Sequence, residues 1–328
     1  MKVLILGGTV FLGRHLVDAA LAHGHEVTLF NRGMHDVDGY SDLERLRGDR
    51  AGGDLDALRG KRWDVAIDTS GYVPRLVQAS AALLADAVEH YTFVSTISVY
   101  PEYLAGGIDE QAPVASPELE TEEVTGETYG PLKVACELAA EAAMPGRVLV
   151  VRPGLIVGPH DPTNRFTYWP ARVVQGGEVL APGRPERAIQ LIDGRDLAEW
   201  MVRMAERCAT GVYNATGPAG TLTMGELLEE CRRFGGGDAR FAWVGDERLL
   251  AIGAGAWMEV PLWIPEAEAP GFYSIDCRKA VAAGLTFRPL AGTIRATLAW
   301  YNGLPLGGRP GEAGMSRQRE AELLLAAT

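Results

Sequence analysis

The tightest constraint on this chain lies in its first 22 residues. Lys2 to Leu6 is a short apolar run ending in Gly7-Gly8-Thr9-Val10-Phe11-Leu12-Gly13. Phe11 to Ala22 then places Phe11, Leu12, His15, Leu16, Ala19 and Ala20 on one helical face. Such a strand, turn and helix must be repeated and stacked to bury their apolar sides. The following residues repeat them: strands are expected at His25–Phe30, Leu43–Leu46, Asp64–Ile67, Tyr91–Ser95 and Arg147–Val151. Helices are expected at about Pro74–Val88 and Tyr129–Ala143. Short, almost wholly apolar strands separated by helices of 10–15 residues predict an α/β fold, a Rossmann-like doubly wound parallel sheet covered on both faces.

The alternation lapses at 101–127, which carries Glu102, Asp109, Glu110, Glu118, Glu120, Glu122 and Glu123 before Glu127 and reads as a solvated loop. After Arg152-Pro153 the turns are denser, and Trp169, Trp200, Trp243, Trp257, Trp263 and Trp300 all follow. We expect a nucleotide-binding domain over 1–152 and a smaller C-terminal mixed α/β substrate domain over 153–328. Residues of about 186–215 are expected to return to the first sheet, through Ile189–Ile192 and a helix from about Arg195. A last helix is expected at about Glu312–Ala326, docked on the body or on a second subunit.

Charge narrows the partners. The chain has 31 cationic and 43 acidic residues, a net charge of −12. A sequence-independent grip on nucleic acid needs clustered cations, and a basic membrane-surface helix needs the same, so neither partner is expected. No apolar run approaches a membrane span. Cys136, Cys208, Cys231 and Cys277 form no CxxC pair and no zinc spacing, so free thiols, no metal and a cytoplasmic location are expected.

The glycine segment sits where a sheet of this type binds a dinucleotide pyrophosphate. A helix N-terminus offers unpaired N–H groups and partial positive charge, and glycine lets the backbone approach phosphate. Val10 occupies the usual middle-glycine position, so neither GxGxxG nor GxxGxxG is met. The second strand ends Phe30-Asn31-Arg32. An NAD site normally has Asp or Glu here; Asn31 with Arg32 beside it suits a ribose 2′-phosphate, so NADP is expected over NAD.

Tyr129-Gly-Pro-Leu-Lys133 opens a helix and stacks its two functional side chains one turn apart. With ten tyrosines and only four lysines in the chain, chance placement is rare. A neighbouring ammonium favours phenolate and is expected to lower the Tyr129 pKa toward a useful acid/base value. The fifth strand ends in Ser95-Thr96-Ile97-Ser98, placing a hydroxyl at a strand carboxyl end, where ligands of such sheets bind.

With these motifs the chain resembles the extended or atypical short-chain dehydrogenases/reductases of the NAD-dependent epimerase/dehydratase superfamily. The resemblance rests on Gly7–Gly13, Gly48-Asp49-Arg50, Thr96, Tyr129/Lys133, Arg152-Pro153-Gly154 and Ile192-Asp193-Gly194-Arg195-Asp196-Leu197-Ala198. It implies Tyr129 as acid/base, Lys133 on the ribose and tuning Tyr129, and Thr96 on the substrate oxygen. It also implies a cofactor lined by Gly7, Thr9, Val10, Phe11, Leu12, Gly13, Asn31, Arg32, Thr69, Ser70, Gly71 and Pro153, with Asp49 and Arg50 by the adenine. Members of this family often pair through the Tyr129 helix and the one before it, so a homodimer is implied. The Gly-Gly-Thr-x-Phe-Leu-Gly loop with Asn-Arg-Gly is similar to an atypical branch that includes the chloroplast stem-loop RNA-binding proteins.

Departures narrow the chemistry. Ile97 and Ser98 follow Thr96 where sugar-nucleotide dehydratases carry Asp-Glu, so that elimination is not expected. Leu155 and Ile189 stand where galactose-type epimerases carry Asn and Arg, although Arg184 and Arg187 are near enough to stand in. His160 is on a loop facing the site and is read as a surface histidine before a substrate contact. Trp257 and Trp263 are candidates for core or for an aromatic pocket wall. The leading expectation is an NAD(P)-dependent oxidoreductase acting on a small-molecule carbonyl or secondary alcohol. The alternatives are an NAD-dependent sugar-nucleotide epimerase and a non-catalytic scaffold.

Overall fold

The structure, a computed structural model, describes the chain except residues 36–38, 102, 104–105, 119, 236, 306–307 and 312. Glu102 and Glu312 therefore lie outside the described residues. In the first half the elements run β1 (Lys2–Leu6), α1 (Leu12–Ala22), β2 (Glu26–Asn31), β3 (Glu44–Arg47), β4 (Val65–Asp68), α2 (Pro74–Leu84), β5 (His90–Val94), α3 (Tyr129–Ala143) and β6 (Val148–Pro153). Each strand starts within a residue or two of its sequence expectation; β1, β2, β4, β5 and β6 are apolar runs buried along almost their whole length, whereas the edge strand β3 is largely exposed.

The main sheet has seven strands in the order β11-β6-β5-β4-β1-β2-β3, where β11 is Gly211–Ala215, and all its pairings are parallel. The order reverses between β1 and β4, opening a crevice at their carboxyl ends. Helices α1 and α5 (Gly194–Glu206) cover one face, with Leu16, Val17, Trp200 and Met201 fully buried. On the other face α2 and α3 bury Val77, Leu84, Cys136 and Ala140.

One expectation is corrected here. Ile189–Ile192 does not enter the main sheet. Ala188–Ile189 (β9) pairs antiparallel with Leu222–Thr223 (β12), and Ile192–Asp193 (β10) pairs with Ile156–Val157 (β7). The returning strand is β11, after α5. Its alternation is broken by Asn214, whose buried amide is committed to Tyr100 and two backbone carbonyls, so it did not read as a strand.

The C-terminal part holds a separate core around Trp169, Leu180, Leu227 and Trp263. It is built from α4 (Tyr168–Val173), β8 (Glu178–Pro182), α6 (Met224–Gly235), β13 (Arg240–Val244), α7 (Asp246–Ala251), α9 (Leu290–Gly303) and α10 (Arg317–Ala327), while α8 (Arg278–Ala282) packs on β11 and buries Ala280 in the main-sheet core. The last helix starts at Arg317, after Ser316, whose hydroxyl accepts from Arg319 N–H and caps it. It docks on the body: Leu323 is buried, and Glu320 pairs with the buried Arg172 at 2.6 Å. The acidic segment before α3 is anchored: Ile108 bridges Ile275, and Glu110 accepts from Asn214 N–H.

Candidate active site

The crevice at the strand carboxyl ends opens into a cavity of about 770 Å³. The glycine segment forms its floor. Gly7 and Gly8 have φ of +111° and +85°, which admit only glycine without strain. A Cβ on Gly13 would sit 2.8 Å from the Gly8 backbone, so α1 packs directly on the loop. Phe11, at φ +39°, turns the chain into α1 and gives it no side-chain cap. The helix N-terminus therefore faces the cavity with its dipole unmasked. Val10 is exposed and lines the cavity, so the missing middle glycine costs no steric conflict there.

Asn31 stitches this loop. Its amide donates to Gly7 O at 3.1 Å, and its Oδ1 accepts from Gly33 N–H at 2.9 Å. Arg32 is exposed at the cavity rim, and the Arg47 guanidinium lies against Gly33 beside it. Asp49 is, among the described residues, the only carboxylate lining the cavity, against Arg32, Arg50, Lys133 and Arg165. Arg50 borders the cavity but turns its guanidinium onto Asp68, with two 2.8 Å bonds, and onto Ser70 and Ser80. Burial opposes the Asp68 charge, but Arg50 and the hydrogen bonds from Ser70 and Tyr91 outweigh it and hold the carboxyl below its ordinary range. This pair locks the loops after β3 and β4 together. Thr69 and Ser70 line the cavity and bond the carbonyl that ends β1. Gly71 is a correction. It sits behind the wall, where a Cβ would strike Phe93 and Val77, and presents its carbonyl to Lys133.

Thr96, Tyr129, Lys133 and Pro153 border the same cavity as the glycine loop. The 3₁₀ turn Ile97–Val99 follows β5, and the Thr96 hydroxyl caps it by accepting from Ser98 N–H at 3.1 Å. Gly130 explains how the Tyr129 helix reaches that turn, since any Cβ there would collide with the Ser98 carbonyl. The close approach brings Tyr129 to Thr96, which was not visible from spacing alone.

The expected depression of the Tyr129 pKa is not found. Burial and the neighbouring Tyr72 push it up to about 12, against the opposing influence of Thr96 and Arg165. Lys133 is fully enclosed. Its ammonium donates to Gly71 O at 2.7 Å and Val94 O at 2.6 Å and lies 4.3 Å from the Phe93 ring centre. Burial lowers its pKa to about 8. The ammonium is spent on the two carbonyls, and the influences acting on the Tyr129 phenol are burial, Tyr72, Thr96 and Arg165.

Behind the strand ends runs a buried polar chain. Arg152 holds Glu137 through two bonds of 2.9 and 2.6 Å, Ser95 donates to the same carboxylate, and Arg152 also donates to the Tyr100 hydroxyl at 3.0 Å. It ties α3, β5, β6 and β11 together under Thr96 and Pro153. Glu137 lies one turn past Lys133, a signal available in the sequence and not read there.

The far wall was only partly foreseen. Trp257 lines the cavity, its ring under the Arg165 guanidinium at 5.0 Å and edge-to-face with Phe272 at 5.3 Å. Trp263 is core, its indole N–H on Asp246 at 2.8 Å. Arg165, Phe272 and Tyr72 carried no sequence signal. His160 does not line the cavity; it packs between His15 and Trp300, and burial with the nearby Arg14 pushes its pKa down to about 4. The two substitute arginines are committed elsewhere: Arg187 to Asp246 and the Ile264 carbonyl, and Arg184 to Glu266. Ile189 is buried in the C-terminal core.

Comparison with known proteins fits this geometry. An epimerase family protein of Bos taurus is 29% identical over 248 residues, covering 69% of this chain and 78% of that protein. A chloroplast stem-loop binding protein of 41 kDa from Arabidopsis thaliana is 26% identical over 254 residues, and the match spans 72% of this chain but 63% of the relative's length. A UDP-glucose 4-epimerase structure superposes with a TM-score of 0.70 at 15% identity, covering 93% of this chain and 99% of that one. A UDP-glucuronic acid 4-epimerase from Bacillus cereus, in complex with NAD, gives 0.66 at 16% identity over 93% and 99%. At these identities the structures establish the shared fold. The model of the NAD dependent epimerase/dehydratase family matches residues 3–216, from β1 to the end of β11, and the chain belongs to that family.

Proposed function

We propose that the protein is a nicotinamide-dependent oxidoreductase of the short-chain dehydrogenase/reductase type, acting on a small-molecule carbonyl or secondary alcohol. The observation that carries this reading is that Thr96, Tyr129 and Lys133 border the same cavity as the glycine loop and the uncapped start of α1. The residues fit a dinucleotide: positive-φ glycines, a helix dipole and a cationic lining all suit a pyrophosphate. When bound, the cofactor supplies or accepts a hydride at the nicotinamide.

In this reading Tyr129 moves the proton at the substrate oxygen, and Thr96 holds that oxygen by hydrogen bond. Lys133, its ammonium held by the Gly71 and Val94 carbonyls, would hold the ribose with its remaining N–H. The phenol rests protonated at neutral pH, with a pKa of about 12, which suits the donor's role in carbonyl reduction. NADP is preferred because Arg32 stands at the rim, with Arg47 behind it, and the Asn31 amide is engaged by the loop.

A sugar-nucleotide epimerase is the second reading, favoured by the epimerase neighbours. Against it, Leu155 and Ile189 replace the expected polar contacts, and Arg184 and Arg187 already carry acidic partners. Trp257, Phe272 and Tyr72 with Arg165 suit a planar apolar substrate better than a sugar diphosphate. The test is turnover of Tyr129→Phe against a carbonyl panel, with cofactor affinity measured in parallel. Loss of turnover at unchanged affinity supports the acid/base role; retained turnover rejects it.

A further inference from the structure

At the amino-end side of the main sheet, opposite the cofactor cavity, three residues from distant parts of the chain converge. His23 follows α1, His25 precedes β2, and Glu206 ends α5. His23 Nδ1 and His25 Nε2 each lie 2.9 Å from the same oxygen, Glu206 Oε1. All three ligand atoms fall within 4.8 Å of one another. Two of the chain's six histidines meet one carboxylate across about 180 residues of sequence. The His25 side chain is 9% exposed, and those of His23 and Glu206 are 27% and 31% exposed, so the cluster is half-embedded with one open side.

We infer that His23, His25 and Glu206 form a binding site for a divalent transition cation of the zinc, cobalt or nickel class. Two imidazoles and a carboxylate are the donors such ions select. Tetrahedral coordination with metal–ligand bonds near 2.0–2.1 Å separates ligand atoms by about 3.3 Å. Each imidazole nitrogen, now 2.9 Å from Glu206 Oε1, moves outward by about 0.4 Å to reach that, the two nitrogens already lie within 4.8 Å of each other, and water from the open side completes the fourth position. In the metal-free state both imidazole N–H groups donate to Glu206. On binding, each ring coordinates through that nitrogen and carries its proton on the other one. The amine of Met1, 3.4 Å from His25 Nδ1, turns aside.

The site joins the turn between α1 and β2 to the C-terminal end of α5, the two helices that cover one sheet face. A bound ion therefore staples that face without touching the cofactor cavity. Among the described residues no other group of three or more His, Cys, Asp or Glu side chains meets the same distance test. The cluster escaped sequence reading because Glu206 has no spacing relation to the His-Gly-His pair.

Calorimetric titration of the full chain with Zn²⁺, and Co²⁺ absorption spectra, test the site. One equivalent of uptake is expected, with Co²⁺ bands of nitrogen and oxygen ligation and no thiolate charge transfer. Glu206→Gln is expected to weaken uptake at least about tenfold, and the double substitution His23→Ala/His25→Ala to abolish it. Cys208→Ser, two residues past Glu206, is expected to leave it unchanged. Melting temperature in excess Zn²⁺ is expected to rise in the wild type and in Cys208→Ser but not in the double variant. Circular dichroism of the variants separates lost ligands from lost fold. Uptake unchanged in the double variant, or lost in Cys208→Ser, overturns the assignment.

Discussion

Replacing Gly13 by alanine tests the packing of α1 on the glycine loop. A Cβ there would lie 2.8 Å from both Cα and N of Gly8 and 3.1 Å from its carbonyl carbon. All three are backbone atoms of a loop already at positive φ, so no flexible side chain can yield. Forcing a methyl group into such a space costs about 1–3 kcal/mol. Against that, alanine gains up to about 1 kcal/mol over glycine inside a helix. The net expectation is a loss of about 1–2 kcal/mol, with the loop pushed off the helix N-terminus. Gly292→Ala is the control, since Gly292 sits in the first turn of α9 with nothing within 4 Å of its would-be Cβ. That substitution should be neutral or stabilising. Urea denaturation of both variants gives the stability difference, and calorimetry gives the NADPH affinity. Gly13→Ala should lose both stability and affinity, while Gly292→Ala keeps both. If the two variants are equally stable and bind equally, the proposed fit between loop and helix is wrong.

Other predictions address the remaining parts of the site. Arg32→Ala should weaken NADPH by about tenfold to hundredfold, as expected for loss of a charged hydrogen bond, and leave NADH nearly unchanged; equal losses by titration reject the phosphate contact. Glu137→Gln breaks the buried pair with Arg152 and should cost about 3 kcal/mol in denaturant unfolding, with a loss below 1 kcal/mol counting against its bracing role. Lys133 has its folded pKa lowered to about 8 from the ordinary 10.5, so the unfolded chain binds more protons between those values and stability rises with pH across that window. Comparison of urea midpoints at pH 7.5 and 9.5 should show that rise in the wild type and its absence in Lys133→Met.

The parallel sheet was legible because its five inner strands are apolar on both faces, which leaves little ambiguity of element type. The glycine loop and the Tyr129/Lys133 pair were legible because each is a local pattern. That residues of about 186–215 return to the sheet was expected, but not which strand does so, since a strand carrying a buried, hydrogen-bonded Asn214 has no clean periodicity. The far wall was hidden for a different reason. Arg165 lies more than 90 residues before Trp257 and Phe272, and only the tertiary fold brings it against them. The state of Tyr129 was misjudged on similar grounds. A lysine one turn away on a helix suggests phenol activation, but the two carbonyls that take its ammonium belong to β5 and to the loop after β4.

The most direct measurement is calorimetric titration of the purified chain with NADPH and with NADH. One site per chain, with NADPH bound more tightly, is the predicted result. No binding of either dinucleotide would contradict the assignment of the cavity and leave the fold as a scaffold without redox chemistry.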